Sequence, residues 1–240
     1  MQVRGSIALV TGANRGIGRA LVESLLAHGA ARVYATARHE ADLEAIAGLD
    51  RQRIVALPLD VTDIAQLARI AEATQDVNLL FNNAGVLDFG SVLDAPDEAF
   101  RRNFDVNCFG LLHATRAFAP ALTRNHGAVV NLLTLVALAS MPGLGVYNAS
   151  RAAAWSLTQS LRADLGKKGV KVLGVFPGAV DTDMLKGVDM PKTSPRAVAD
   201  EVIAALEADA EDVFPDPMSK QLYSEWARDH KGIEHQFAAM

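Results

Sequence analysis

A short apolar run, Ile7-Ala8-Leu9-Val10, leads directly into Thr11-Gly12-Ala13-Asn14-Arg15-Gly16-Ile17-Gly18, and this into Arg19–Leu26 with helical apolar spacing. Strand, glycine turn and helix in immediate succession leave the chain few ways to fold. The glycines permit a tight turn and let backbone approach a ligand where a Cβ would stand in the way. The helix behind them aims its leading N–H groups and its positive dipole end at an anion, and a dinucleotide pyrophosphate suits that position. The spacing is Gly-x-x-x-Gly-x-Gly, not the commoner Gly-x-Gly-x-x-Gly.

The alternation continues down the chain. Arg32–Thr36, Arg53–Leu59, Val77–Phe81, Ala128–Leu133 and Val170–Phe176 read as strands, and Glu211–Phe214 as a further short one. Between them, Glu40–Ala47, Ile64–Ala73, Asp97–Arg124 and Tyr147–Leu165 read as helices, and Ser194-Pro195 opens another. Strands that are continuous apolar runs, joined through helices, predict parallel pairing with both sheet faces covered. The expected fold is α/β: a single doubly wound Rossmann-type domain over residues 1–240, with a mostly parallel six- to seven-stranded sheet. Residues 184–193 are expected to form a substrate loop, and residues 218–240 a charged C-terminal tail with weakly helical spacing.

Composition excludes more than it selects. The net charge is −5, with no basic block or aromatic ladder, so neither nucleic acid nor a membrane is expected as a partner. One cysteine, Cys108, fits a reducing compartment and reads as a small buried hydrophobe. No apolar run approaches the roughly 18 residues of a membrane span, and no signal peptide is recognised, so a cytoplasmic location is expected. The six histidines are scattered without metal-ligand spacing, and no metal is expected. His28 and His126 read as helix C-terminal residues.

In an open parallel sheet, ligands gather beyond the carboxyl ends of the strands. There this chain places Thr11–Gly18, Ala37-Arg38, Asp60-Val61, Asn82–Gly85, Thr134 and Pro177–Thr182. The second strand ends at Thr36-Ala37-Arg38, without the acid that would bond an adenosine ribose. Arg38 and Arg15 would instead bracket a 2′-phosphate, so NADP(H) is favoured over NAD(H). Tyr147 and Arg151, four residues apart, share one helix face. A phenol beside a fixed cation ionises more readily and can exchange a proton with an alcohol oxygen. Leu87, Leu138, Met141, Leu144, Met184 and Leu185, with Met190, suggest an apolar or mixed small-molecule pocket.

Taken in order, Thr11–Gly18, Asn82-Asn83-Ala84-Gly85, Asn107, Tyr147 with a basic residue four later, and Pro177-Gly178-x-Val180-x-Thr182 resemble the short-chain dehydrogenase/reductase family from about Ser6 to Leu206. The resemblance implies an oxidoreductase transferring hydride between NADP(H) and a carbonyl/alcohol substrate. Tyr147 would be the general acid/base, Thr134 would orient the substrate and Asn107 would hold a water of the proton relay. Gly12, Asn14, Arg15, Gly16, Ile17, Gly18, Arg38, Asp60, Val61, Asn83, Ala84, Gly85, Tyr147, Arg151, Pro177, Gly178, Val180 and Thr182 would line the cofactor. Asp60 would bond the adenine and Thr182 the nicotinamide carboxamide. Two positions depart from the family pattern: Thr134 replaces a serine and Arg151 replaces a lysine. The alternative reading is a catalytically weak or inactive NADP(H)-binding protein acting as a redox sensor or interaction module. A homodimer or homotetramer is expected, packed through the two long helices on the small faces Ala114-Ala117-Ala121 and Ala152-Ala153-Ala154.

Overall fold

In the computed structural model, residues 1–239 are described; Met240, the last residue of the expected tail, lies outside the described residues. The chain runs β1 (Ile7–Val10), α1 (Gly16–Ala27), β2 (Arg32–Ala37), α2 (Glu40–Ala47), β3 (Ile54–Pro58), α3 (Ile64–Ala73) and β4 (Leu79–Asn82). It continues through α4 (Asp97–Phe104), a π-helical stretch at Asp105–Gly110, α5 (Leu111–Arg124), β5 (Ala128–Leu132) and α6 (Gly145–Gly166). It closes with β6 (Lys171–Val175), α7 (Pro195–Glu207), β7 (Asp212–Val213), α8 (Pro217–Trp226) and α9 (His230–Ala238). The strands form one seven-stranded sheet in the order β3-β2-β1-β4-β5-β6-β7, and every neighbouring pair is parallel. The order reverses between β1 and β4, which is where such a sheet opens a crevice.

Both sheet faces are buried, and the two-residue period of a strand sorts the side chains. Val10, Phe81, Val130 and Val175 point to one face, where Leu21 and Leu25 of α1 meet Val198, Val202 and Leu206 of α7. Leu9, Leu80, Val129 and Val172 point to the other, against Phe118 and Leu122 of α5 and Leu165 of α6. Ser194 caps α7 by accepting from the Ala197 N–H, with Pro195 in the first turn. His28 caps the C-terminus of α1, and His126 follows α5 with a positive φ of 49°.

Three expectations change. The helical region 97–124 is not one α-helix, because the π-helical stretch at Asp105–Gly110 separates α4 from α5. Ala114, Ala121 and Ala154 are buried in the chain's own core and so present no outward face; of the two triplets Ala152 alone is exposed, with Ala117 and Ala153 half-buried. Ala114 packs with Leu59, Val61 and Leu67, and Ala154 with Leu111, Leu133 and Phe176. The described part of the tail is two well-capped helices: Asp216 and Ser219 form a reciprocal capping box for α8, and Asp229 accepts from the Gly232 N–H at the start of α9. Met218, Leu222, Trp226, Ile233 and Phe237 from these helices pack on Leu135 and Ala139 of the segment after β5.

Asp216 is almost wholly buried and has a second duty. One carboxylate oxygen accepts from the Gly178 N–H at 2.8 Å and the other from the Ser219 N–H at 2.9 Å. Asp216→Ala should lower stability by about 1–3 kcal/mol, from a lost cap and an orphaned, half-buried Gly178 N–H. Urea unfolding measures the loss, and limited proteolysis should cut first within 217–239. Asp216→Asn, which keeps one acceptor, should lose less.

At the other end of the chain, the Lys171 ammonium and the Met1 amino group both contact the Asp209 carboxylate and hold its pKa down at about 2. A depressed carboxylate adds stability that is fully present above its unfolded value of 3.8 and is lost as pH falls through about 2. Thermal unfolding across pH 2 to 7 should therefore show a small advantage of the native protein over Asp209→Asn at neutral pH, vanishing at the acid end. Asn is chosen because Asp209 has a φ of 59°, which Asn tolerates.

Candidate active site

The glycine turn after β1 is held from two sides. Gly12 and Gly16 have φ of 63° and 53°, which side chains with a Cβ avoid. The Asn83 amide donates to the carbonyls of Thr11 and Gly12, each at 2.9 Å. The Thr11 hydroxyl oxygen accepts from the N–H groups of Asn83 and Ala84, each at 3.0 Å. On the β2 side, the Ala13 N–H donates to the Thr36 carbonyl. A Cβ at Gly18 would overlap both the Gly12 carbonyl and the Asn83 amide. Arg15 stands at the N-cap of α1 without a side-chain cap bond, so no side chain closes the helix's positive end.

This turn forms one end of a cleft of about 790 Å³ that runs along the carboxyl edge of the sheet. Every residue picked from the sequence for the cofactor lies on it: Gly12, Asn14, Arg15, Gly16, Ile17, Gly18, Arg38, Asp60, Val61, Asn83, Ala84, Gly85, Tyr147, Arg151, Pro177, Gly178, Val180 and Thr182. Thr134 lines it too, as do Leu87, Met141, Leu144, Met184, Leu185 and Met190. Leu138 does not; it packs behind the wall with Leu111, Leu133, Ala154 and Phe176.

Asn107 also lies behind the cleft wall. It sits in the π-helical stretch, where its Oδ1 accepts from the Val86 N–H and its amide donates to the Val86 carbonyl and the Ser150 hydroxyl. It thus ties the strand exit after Gly85 to α6. Beside it is a small cavity of about 10 Å³ lined by Thr11, Asn82, Asn107 and Arg151, among others. Of the residues lining that cavity, Asn82 and Arg151 each keep a buried atom, Oδ1 and Nε, that has no hydrogen-bond partner in the protein. The Asn82 amide starts a buried chain, donating to Thr115 and Asn131, while Asn131 donates to Thr158.

Tyr147 lies in the first turns of α6, and Arg151 is one turn on. The Arg151 Cζ stands 5.3 Å from the Tyr147 ring centroid, within cation–π range. Its Nη1 donates to the Leu132 carbonyl at 2.9 Å, and a Cβ at Gly85 would overlap the guanidinium. Arg151 is only 4% exposed and, among the described residues, no carboxylate pairs with it. A buried cation must be met by dipoles or a π face, and here the Leu132 carbonyl and the tyrosine ring do this. Thr134, just past β5, is extended and its hydroxyl oxygen caps a short helical turn at Leu135–Ala137.

The charged rim contains partners the sequence did not reveal. Arg15 pairs with Asp183 at 3.0 Å, and the Asn14 amide donates to Asp42 at 3.0 Å. Arg38 is exposed at the end of β2, beside His39 and Asp42 on the cleft. Asp60 accepts from the Thr62 N–H and hydroxyl through one oxygen. The loop at 184–193 is closed at its base by pairing of Val180 with Thr193. Cys108 is buried, and burial pushes its thiol pKa up, as for an inert hydrophobe. The far wall is made by Met218, Leu222, Gln236 and Phe237 of α8 and α9. The sequence signals for these were Asp216-Pro217 and Asp229, which mark helix starts.

Among the described residues, no helix is long and apolar enough to cross a membrane, and no cluster of three or more His, Cys, Asp or Glu could hold a metal ion.

Comparison with known proteins agrees with this geometry. The profile of the short chain dehydrogenase family matches residues 6–192. A short chain dehydrogenase from Burkholderia cenocepacia, solved in complex with NADP, is 39% identical with a TM-score of 0.93 over 99% of each chain. A short chain dehydrogenase/reductase from Burkholderia phymatum, solved in complex with NAD, is 26% identical with a TM-score of 0.86, over 98% of this chain and 96% of its own. Among curated proteins, an uncharacterized oxidoreductase of Staphylococcus saprophyticus is 30% identical over 219 residues, 86% of this chain and 93% of its own. A sorbitol dehydrogenase of Cereibacter sphaeroides is 34% identical over 195 residues, 79% of this chain and 76% of its own. With the profile spanning most of the sheet and the fold shared end to end, the chain belongs to the short-chain dehydrogenase/reductase family of oxidoreductases.

Proposed function

We propose that the protein is an NADP(H)-dependent oxidoreductase that interconverts a carbonyl compound and its alcohol. The observation that carries the reading is the convergence of Tyr147, Arg151 and Thr134 on one cleft with the glycine turn. The cradle suits a pyrophosphate: the turn is held open, and the N-terminus of α1 lacks a side-chain cap. Arg15 and Arg38 would take the 2′-phosphate, and Asp60, Val61, Asn83–Gly85 and Pro177–Thr182 would line the rest. Bound there, NADP(H) supplies or accepts a hydride at the substrate carbon.

The chain's own residues supply the proton and the alignment. Tyr147 gives its hydroxyl proton to the carbonyl oxygen on reduction and takes one back on oxidation. The Thr134 hydroxyl bonds the same oxygen and fixes its position. Arg151 keeps a fixed positive charge against the tyrosine ring while the proton is away. The small cavity beside Asn107 is of a size for one water, and Asn82 Oδ1 and Arg151 Nε give that water an acceptor and a donor to bond. This is where the relay water would sit.

One observation favours the second reading, a weakly active NADP(H)-binding sensor or interaction module. The Arg151 guanidinium is planar, bonded to the Leu132 carbonyl and laid against the Tyr147 ring, so it presents no compact ammonium to a ribose. NADPH oxidation over a panel of ketones and aldehydes separates the two. If the native protein turns over, Tyr147→Phe should reduce the rate by roughly 10²–10⁴-fold with NADPH affinity kept. Turnover by Arg151→Lys alone would move the sensor reading ahead. For the cofactor, Arg38→Ala should weaken NADPH binding by about 10–100-fold and leave NADH binding unchanged, as read by titration.

A further inference from the structure

We infer that the inner end of the cleft takes a carbonyl compound carried on a hydrocarbon chain or ring, or its alcohol, and rejects polyols, keto acids and phosphorylated substrates. This inference rests on the oxidoreductase reading above and names the substrate class of that same site. Charge on the cleft is segregated. Arg15, Arg38, Asp42, Asp60 and Asp183 all belong to the glycine-turn end, where Asp183 is held by Arg15 and Asp42 by Asn14. Arg151 is the exception in position; it is buried, laid against the Tyr147 ring and bonded through Nη1 to the Leu132 carbonyl, on the wall behind the tyrosine.

Past Thr134 and Tyr147 the walls are hydrocarbon and thioether. Leu87 follows β4, Met141 precedes α6, Met184 precedes α7, Leu222 is on α8 and Phe237 is on α9. Segments far apart in sequence thus present one kind of surface. The α8–α9 wall is a packed one: Phe237 is buried with Ile233 against Leu135 and Ala139, and Met141 and Leu222 lie on the same cluster. One further polar side chain reaches this end among the described residues, the amide of Gln236, which is exposed at the rim.

Beyond Tyr147 and Arg151, an anion held among Leu87, Met141, Leu222 and Phe237 would lose its hydration with no charged side chain of those walls to replace it. A polyol would leave most of its hydroxyls facing hydrocarbon, and one unmatched hydroxyl in an apolar pocket already costs on the order of 10²-fold. A chain of methylenes gains instead, by about fourfold in affinity per CH₂ buried. The reacting oxygen is served by Tyr147 and Thr134, and Gln236 is left to serve the remaining polar atoms of a substrate.

The test is calorimetric titration of the full-length protein, saturated with NADP⁺ so that ketones cannot turn over. The probes are unbranched methyl ketones of about four to ten carbons, a ketohexose and 2-oxohexanoate. The ketones should tighten by about fourfold per methylene until the space is filled, and the ketohexose and keto acid should bind at least ~100-fold more weakly than the best ketone. Leu222→Asp should abolish the dependence on chain length while leaving the Kd for NADP⁺ within about twofold; Met141→Asp serves if the first variant does not fold. Equal or tighter binding of the ketohexose or keto acid, or no ketone binding at all, would overturn the inference. Length-dependent ketone binding without NADPH-driven reduction would keep the inference and remove the hydride-transfer reading. Reduction favouring the ketohexose or keto acid would do the reverse.

Discussion

Asn83 stands at the junction on which the cleft depends. It leaves β4 and donates to two carbonyls of the glycine turn that leaves β1, while Thr11 of that turn accepts from the backbone of Asn83 and Ala84. β1 and β4 are neighbours in the sheet but far apart in sequence, and their loops diverge because the chain winds off in opposite directions on either side. The clamp fixes how far they part. It also explains why Gly18 cannot carry a side chain: a Cβ there would fill the space the Asn83 amide needs. The same four backbone and side-chain bonds therefore set the turn, the start of α1 and the floor of the site.

The second constraint is electrostatic. Arg151 is a cation buried without a counter-ion among the described residues, and removing such a group from water is costly. The fold meets it with a strand carbonyl, an aromatic face and a glycine at position 85 that leaves room. Each of these comes from a different element, so Arg151 fits only once β4, β5 and α6 are assembled. The group it is laid against is Tyr147, so the position of the charge and that of the tyrosine ring are set together.

The parts legible in the sequence were those whose physics is local. The glycine turn, the apolar strands, the Ser194-Pro195 helix start and the one-turn spacing of Tyr147 and Arg151 are all written within a few residues. Residues that act through distant partners were not legible. Asp183 matters because it meets Arg15, and Asp216 because it reaches back to Gly178. The alanines on α5 and α6 looked like an outward face because small residues suit close approach of any kind; which neighbour they approach is a tertiary fact. The π-helical stretch around Asn107 has no compositional mark, since its residues would equally suit an α-helix. The tail was obscured by its charges, although Asp216-Pro217 and Asp229 carried ordinary cap signals and Met218, Leu222, Trp226 and Phe237 supplied a buried stripe.

The C-terminal helices also connect the two halves of the cleft. Asp216 caps α8 and in the same stroke satisfies the N–H of Gly178, in the Pro177–Thr182 segment that lines the proposed cofactor side. α8 carries Leu222 onto the opposite, apolar wall. The position of that wall is thus referenced to the backbone of the cofactor side through one buried carboxylate, whose own charge is spread over two backbone N–H groups and the Ser219 hydroxyl. A hydride donor and an acceptor carbon must be held to within a fraction of an ångström of each other, and a bond of fixed length between the two walls supplies that reference more directly than packing alone. Asp216 lies beyond residues 6–192, the stretch the family profile matches, and Gly178 lies within it, so this one bond ties the last helices back to the matched part of the chain.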